Sequence, residues 1–158
     1  MKEGGTKLET AKAPGARLLM VVAPYYRDIT DQMQRGAEVA AAEGEATLDR
    51  IFVPGAFEIP GAIAQAARRS PYEGYIALGC VVRGETSHYD YVCGESARGL
   101  MELSIREGLA IGYGILTVNT IDQAQVRADP KRGDKGGEAT RAALAMIGLK
   151  RRFAEIAQ

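Results

Sequence analysis

One histidine, two cysteines, no net charge and no long apolar run mark this sequence of 158 residues, and each scarcity excludes something. A conventional zinc site takes about four Cys or His ligands, more than this chain assembles readily, so no metal is expected. Cys80 and Cys93 lie inside apolar segments rather than in a C-x-x-C pair, which suits small core residues in a reducing compartment. Lys and Arg number 20 against 20 Asp and Glu. That parity removes the basic-patch argument for nucleic acid and any general pull toward an anionic membrane. No apolar stretch approaches the ~18 residues of a membrane span, and the N-terminus lacks the charged-then-apolar order of a secretory signal, so a cytoplasmic location is expected. No G-x-G-x-x-G follows the first apolar run, no G-x-x-x-x-G-K-[ST] occurs, and no G-x-S-x-G elbow is present. Dinucleotide, nucleoside-triphosphate and serine-hydrolase readings lose their main support.

What is present is a chain with 46% hydrophobic residues, enough for one core without disulfides or metals. Residues 1–16 are polar and carry Gly and Pro, which predicts a flexible arm ahead of a single domain over 17–158. From Arg17 two periodicities alternate. RLLMVVA, Arg17 to Ala23, is an unbroken apolar run of strand length, and the next segment puts Ile29, Met33, Gly36, Ala37, Ala40 and Ala41 on one helical face. A second strand is expected over about Leu48 to Val53, then a Pro-Gly loop and a helix starting near Glu58, with Pro60 in its first turn. GYIALGCVVR, Gly74 to Arg83, has the lack of alternation expected of a central strand covered on both faces. Tyr89, Val92, Cys93, Ala97, Leu100, Met101, Ser104 and Ile105 repeat at three-four spacing in a long helix that Gly108 ends. A fourth strand over Ile111 to Val118, a short helix over about Ile121 to Ala128 and a final helix complete the pattern. Such alternation predicts a parallel sheet between helical layers, with ligands outside the carboxyl ends of the strands.

The loops at those ends carry the polar chemistry. In RGETSH, Gly84 with Thr86 and Ser87 before a helix resembles a nest of donors for an anion, although simple N-capping explains the same residues. His88 at the helix start suits a neutral ring that takes and returns protons, because a cationic imidazole there opposes the macrodipole; a structural bond to Asp90 or to a backbone carbonyl is the alternative. VPGAFEIP reads as a turn plus a helix start, or as a stacking surface at Phe57 beside a polyol-binding carboxylate at Glu58. The basic stretch from Arg127 to Lys135 reads as a solvated loop, or as a phosphate contact made by Arg127.

Together the segments VVAPYYRDITDQMQRGA, VPGAFEIP, ALGCVVRGETSHYDYV, GILTVNTIDQA with Arg127, and DKGGEA resemble, in order and spacing, the 6,7-dimethyl-8-ribityllumazine synthase family. The resemblance covers about Arg17 to Phe153. It implies a flavodoxin-like three-layer αβα sandwich with a four-stranded parallel sheet. It also implies condensation of 5-amino-6-(D-ribitylamino)uracil with 3,4-dihydroxy-2-butanone 4-phosphate, with neither metal nor organic cofactor. By the same resemblance Tyr25 stacks on the pyrimidine, Ala56, Phe57 and Glu58 hold the ribityl chain and nearby ring, and Cys80, Val81 and Val82 address the pyrimidine through their backbone. Glu85 and Thr86 match the contact to the butanone phosphate, Arg127 its cationic partner, and His88 the proton-transfer residue. Tyr113 and Arg127 would come from the neighbouring subunit of a homopentamer, with Lys135 a further addition. Pentamers close into an icosahedral shell in some members. Where the family carries Arg-Phe-Asn, this chain has Pro24-Tyr25-Tyr26, so Tyr26 does not copy the amide. The runner-up reading is a non-catalytic flavin- or ribityl-binding protein, or a shell-forming one, on the same fold. The polar arm and an edge of the first strand are expected to suit pairing with a neighbour.

Overall fold

Four strands, all parallel, form the sheet in a computed structural model that describes residues 5–6, 9–69 and 71–157. They are β1 (Arg17–Val22), β2 (Thr47–Phe52), β3 (Gly74–Val82) and β4 (Ala110–Val118), in the spatial order β2-β1-β3-β4. The helices are α1 (Arg27–Glu43), α2 (Ile59–Ala67), α3 (His88–Glu107), α4 (Ile121–Ala128) and α5 (Lys135–Ile156). The expected elements are therefore all present, with ends moved by a residue or two. Before α2 the chain makes a single 3-10 turn over Ala56–Glu58, and Pro60 falls in the first helical turn.

Alternate strand residues face opposite layers, because successive side chains of a strand point to opposite faces. Leu18, Met20, Val22, Ile76 and Leu78 meet Ile29, Met33 and Ala37 of α1 and Ala143, Leu144 and Ile147 of α5. Leu19, Val21, Tyr75, Ala77 and Ile115 meet Ile59 and Ile63 of α2 and Leu100 of α3. This is the three-layer αβα sandwich with helices on both faces. The six residues expected on one face of α1 are all buried. α1 and α5 approach so closely that a Cβ at Gly136 would overlap the main-chain carbonyl of Met33.

Two expectations change. β1 pairs with β2 on one side and β3 on the other, so it has no free edge. The sheet edges belong to β2 and β4, since neighbour order is a long-range property that local periodicity does not encode. The eight-residue apolar stripe of α3 is wider than its contact with the sheet: Leu100 is buried, but Met101 is 59% and Ile105 73% exposed. Gly108 does end α3, in the left-handed region at φ 63°, where glycine carries no Cβ penalty.

Of residues 1–16, expected as an arm, 1–4 and 7–8 lie outside the described residues. Ala13 and Ala16 are fully buried, and the Ala13 N–H donates to the Gly44 carbonyl at 2.9 Å. The packed part of the chain thus begins upstream of Arg17. Among the described residues no helix is long and apolar enough to cross a membrane.

Candidate active site

The sheet order places a switch between β1 and β3, where the chain leaves in opposite directions, and a cleft opens there beyond the strand ends. Its volume is about 620 Å³, within the range of small-molecule sites. β1 delivers Ala23, Tyr25 and Tyr26; the loop after β2 delivers Gly55, Ala56, Phe57 and Glu58; β3 ends in it with Cys80, Val81 and Val82. The following loop adds Gly84 and Thr86, and α3 adds His88, Tyr89, Tyr91 and Val92.

The aromatic wall is built for stacking. Tyr25 is 77% exposed and meets the Tyr26 ring edge-on at a centroid distance of 4.9 Å. Phe57 stands out at the tip of the 3-10 turn, 58% exposed beside the Glu58 carboxylate. A flat ring bound here would gain apolar contact on an exposed face while the carboxylate accepts hydroxyl donors. Burial pushes the Tyr26 phenol above its ordinary range, and Tyr25 and Cys80 add to that. The Cys80 thiol is pushed up to about 11 by burial alone, so it stays protonated at neutral pH and is no nucleophile.

The helix start at His88 bears on two of the alternatives. Ser87, at the N-cap, makes no side-chain capping hydrogen bond, so simple capping does not account for that hydroxyl. Thr86 Oγ1 accepts only a long 3.4 Å bond from the His88 N–H. The Asp90 carboxylate pairs with a cation, lying 3.4 Å from Arg83 Nη1. His88 itself is exposed to the cleft.

Four expected residues are not brought to the cleft of this chain. Glu85 is exposed on the loop beside it. Tyr113 projects from β4 and is 49% exposed, its phenol pushed up by burial and then by Cys93 and Tyr89. Arg127 sits in the last turn of α4, where Nη1 donates to the Gln123 carbonyl at 2.9 Å. Lys135 Nζ lies 2.6 Å from Glu138 Oε2 at the start of α5. Tyr91 and Val92 line the cleft and were not expected there. Their spacing of three and four residues from His88 is the signal that would have found them, because such positions share a helix face. Among the described residues no group of three His, Cys, Asp or Glu side chains is placed to hold a metal ion.

Comparison with known proteins matches residues 15–151 to the family profile described as 6,7-dimethyl-8-ribityllumazine synthase. A protein of that name from Novosphingobium aromaticivorans is 52% identical over 138 residues, covering 87% of this chain and 99% of the relative. One from Bartonella henselae is 52% identical over 88% of this chain and 91% of its own length. Another, from Methylorubrum populi, is 53% identical over 87% of this chain and 84% of its own length. With the parallel four-stranded sheet, the cleft at its switch point and identity of this extent, the chain belongs to the 6,7-dimethyl-8-ribityllumazine synthase family.

Proposed function

We propose that this protein condenses 5-amino-6-(D-ribitylamino)uracil with 3,4-dihydroxy-2-butanone 4-phosphate to give 6,7-dimethyl-8-ribityllumazine, phosphate and water, the penultimate step of riboflavin biosynthesis. The observation that carries the reading is the convergence of Tyr25, Phe57, Glu58, Thr86 and His88 on one cleft in a chain of this family. Tyr25 supplies the pyrimidine stacking face. Glu58 accepts ribityl hydroxyls beside Phe57 and Ala56, and the backbone of Cys80, Val81 and Val82 addresses the ring.

The uracil 5-amine attacks the ketone and loses water to form an imine. A proton is then lost from the hydroxyl-bearing carbon next to the imine and phosphate leaves from the carbon beyond it; the resulting enol tautomerises to a second carbonyl, on which the 6-ribitylamino nitrogen closes the ring with loss of a second water. Each step moves protons without a strong protein nucleophile, in keeping with a buried, protonated Cys80. Holding the two reactants together supplies ~7–11 kcal/mol in well-oriented reactions of this kind. His88 passes protons, and Thr86, with Glu85 beside it, receives the phosphate end.

The cationic partner for that phosphate, Arg127, lies outside the cleft of its own chain, as do Tyr113 and Lys135. A homopentamer whose sites lie between subunits accommodates all three. The exposed Met101 and Ile105 on α3 and the free edge of β2 support such an assembly. The compartment proposed is the cytoplasm. The test is to supply both substrates and follow lumazine fluorescence with stoichiometric phosphate release. Tight ribityl-ligand binding without product would favour a non-catalytic module, and a monomer mass by light scattering would remove the pentamer.

A further inference from the structure

α3 starts at His88 without the side-chain cap that Thr120 gives α4 and Asp134 gives α5. Residues 83–88, which lead into it, are all exposed. The 3.4 Å contact from the His88 N–H to Thr86 Oγ1 is at the long limit of a hydrogen bond. Such a helix end frays unless something else fastens it, because its first N–H groups lack intrahelical partners. Proton transfer, in contrast, needs its imidazole within hydrogen-bond reach of the reacting atom.

Arg83 supplies the fastening. Its main-chain N–H donates to the Val118 carbonyl at 2.9 Å, carrying the β3–β4 ladder one residue beyond the strand. Its guanidinium then meets two elements at once. Nε donates to Asn119 Oδ1 at 3.1 Å at the end of β4, and Nη1 reaches Asp90 Oδ1 at 3.4 Å in the first turn of α3. The guanidinium carbon lies 4.2 Å from the centre of the Tyr89 ring. Asn119 is itself held, its N–H donating to Gln123 Oε1 at 2.8 Å. The two residues directly after His88 are thus tied to the end of the sheet through one planar fork, a geometry that a lysine cannot reproduce. Arg83 is not among the residues lining the cleft, whereas His88 and Tyr89 are.

We propose that Arg83 is a positioning residue for His88, acting through Tyr89 and Asp90 rather than on substrate. The inference rests on His88 as the proton-transfer group of the condensation proposed above. The Arg83 and Asp90 side chains are 49% and 64% exposed, so their pairing adds little to global stability. Loss of Arg83 is therefore read in the geometry of the helix start and not in the fold.

Arg83→Met keeps the apolar stem and removes the fork. It is expected to lower kcat by about ten- to a hundredfold, with the KM of both substrates held within about twofold. In a His88→Ala background the same substitution is expected to cost nothing further, because the group it positions is gone. Asn119→Ala, which removes one arm of the clamp, is expected to lower kcat in the same direction by less. An unchanged kcat overturns the proposal. So does an equal loss in both backgrounds, and so does a raised KM for the phosphate substrate at unchanged kcat, which makes Arg83 a substrate contact. A second readout needs no turnover. His88 is the only histidine in the sequence, so the ring C–H signals of histidine-labelled protein report it alone. One sharp set is expected in the native protein, and a shifted, broadened set in Arg83→Met; identical ring signals overturn the proposal even if the native protein makes no lumazine.

Discussion

The guanidinium of Arg141 stands 3.0 Å from the carboxylate of Asp134, with the two side chains only 7% and 10% exposed. Asp134 has φ 46°, accepts from the Gly137 N–H as the cap of α5, and packs against Gly36 of α1. Arg141 Nε also donates to Thr10 Oγ1 at 3.0 Å, which joins residues ahead of the first strand to the last helix. Removing Asp134 leaves the buried Arg141 only the more distant Glu43 carboxylate at 3.8 Å and takes away the helix cap, and Asp134→Ala is expected to cost about 3 kcal/mol. Asp134→Asn should cost less, because an amide still caps the helix and tolerates the left-handed backbone. Urea unfolding of the two variants checks the order, and equal stability of Asp134→Ala and the native protein would contradict it.

The Cys80 thiol gives a pH prediction with a definite sign. Burial raises it in the folded protein from 9.0 to about 11. A buried neutral thiol leaves stability untouched below the lower value, and stability falls as pH rises from about 9 to about 11 because the unfolded chain ionises first. The thiol's share of the loss should be of the order of 3 kcal/mol, and the fall should be smaller by about that amount in Cys80→Ala, where the raised phenols and Cys93 still contribute. Unfolding midpoints measured across that interval for both proteins decide it. At neutral pH, alkylation followed by mass spectrometry should modify the partly exposed Cys93 ahead of Cys80.

His88→Ala and Arg127→Ala should separate kinetically. Loss of a proton-transfer group acts on the chemical step, so His88→Ala is expected to lower kcat by ~100-fold with little change in KM. Loss of a cation that binds phosphate in ground and transition states alike should raise KM for the butanone phosphate and leave KM for the uracil unchanged. Steady-state kinetics with each substrate varied in turn checks both, and identical behaviour of the two variants would remove these roles.

What was legible in the sequence follows from the range over which each signal acts. Unalternated apolar runs marked β1 and β3, because a strand covered on both faces leaves that mark in consecutive residues, whereas the exposed β2, TLDRIF, carries it only weakly. The loops at their ends gave the cleft, since the switch-point rule converts element order into a place. Strand neighbours were not legible. The free edges lie on β4 and on β2, whose Arg50, Asp49 and Thr47 give the polar character of an edge, and not on β1. Nor does periodicity distinguish apolar residues covered by the same chain from those left open, as at Met101 and Ile105. The Arg83 clamp was invisible for the same reason: Asn119 is 36 residues away, and only the register of β3 with β4 brings the two together.

That Arg127 and His88 of one chain do not share a cleft leads to the sharpest test of where the sites lie. If each site takes His88 from one subunit and Arg127 from its neighbour, the defects of His88→Ala and Arg127→Ala lie on opposite sides of the interface. Mixed assemblies then contain sites in which a chain with intact His88 abuts one with intact Arg127. Random equal mixing in a cyclic ring makes the first choice correct half the time and the second likewise, so about a quarter of the sites regain both groups. With the butanone phosphate held well below its KM, unfolding the two variants together and refolding them should therefore recover about a quarter of the native rate, far above either variant alone. A double variant refolded with itself should recover none. Activity of the co-refolded mixture equal to the mean of the separate variants would place both residues in one subunit's site and would overturn the shared interface.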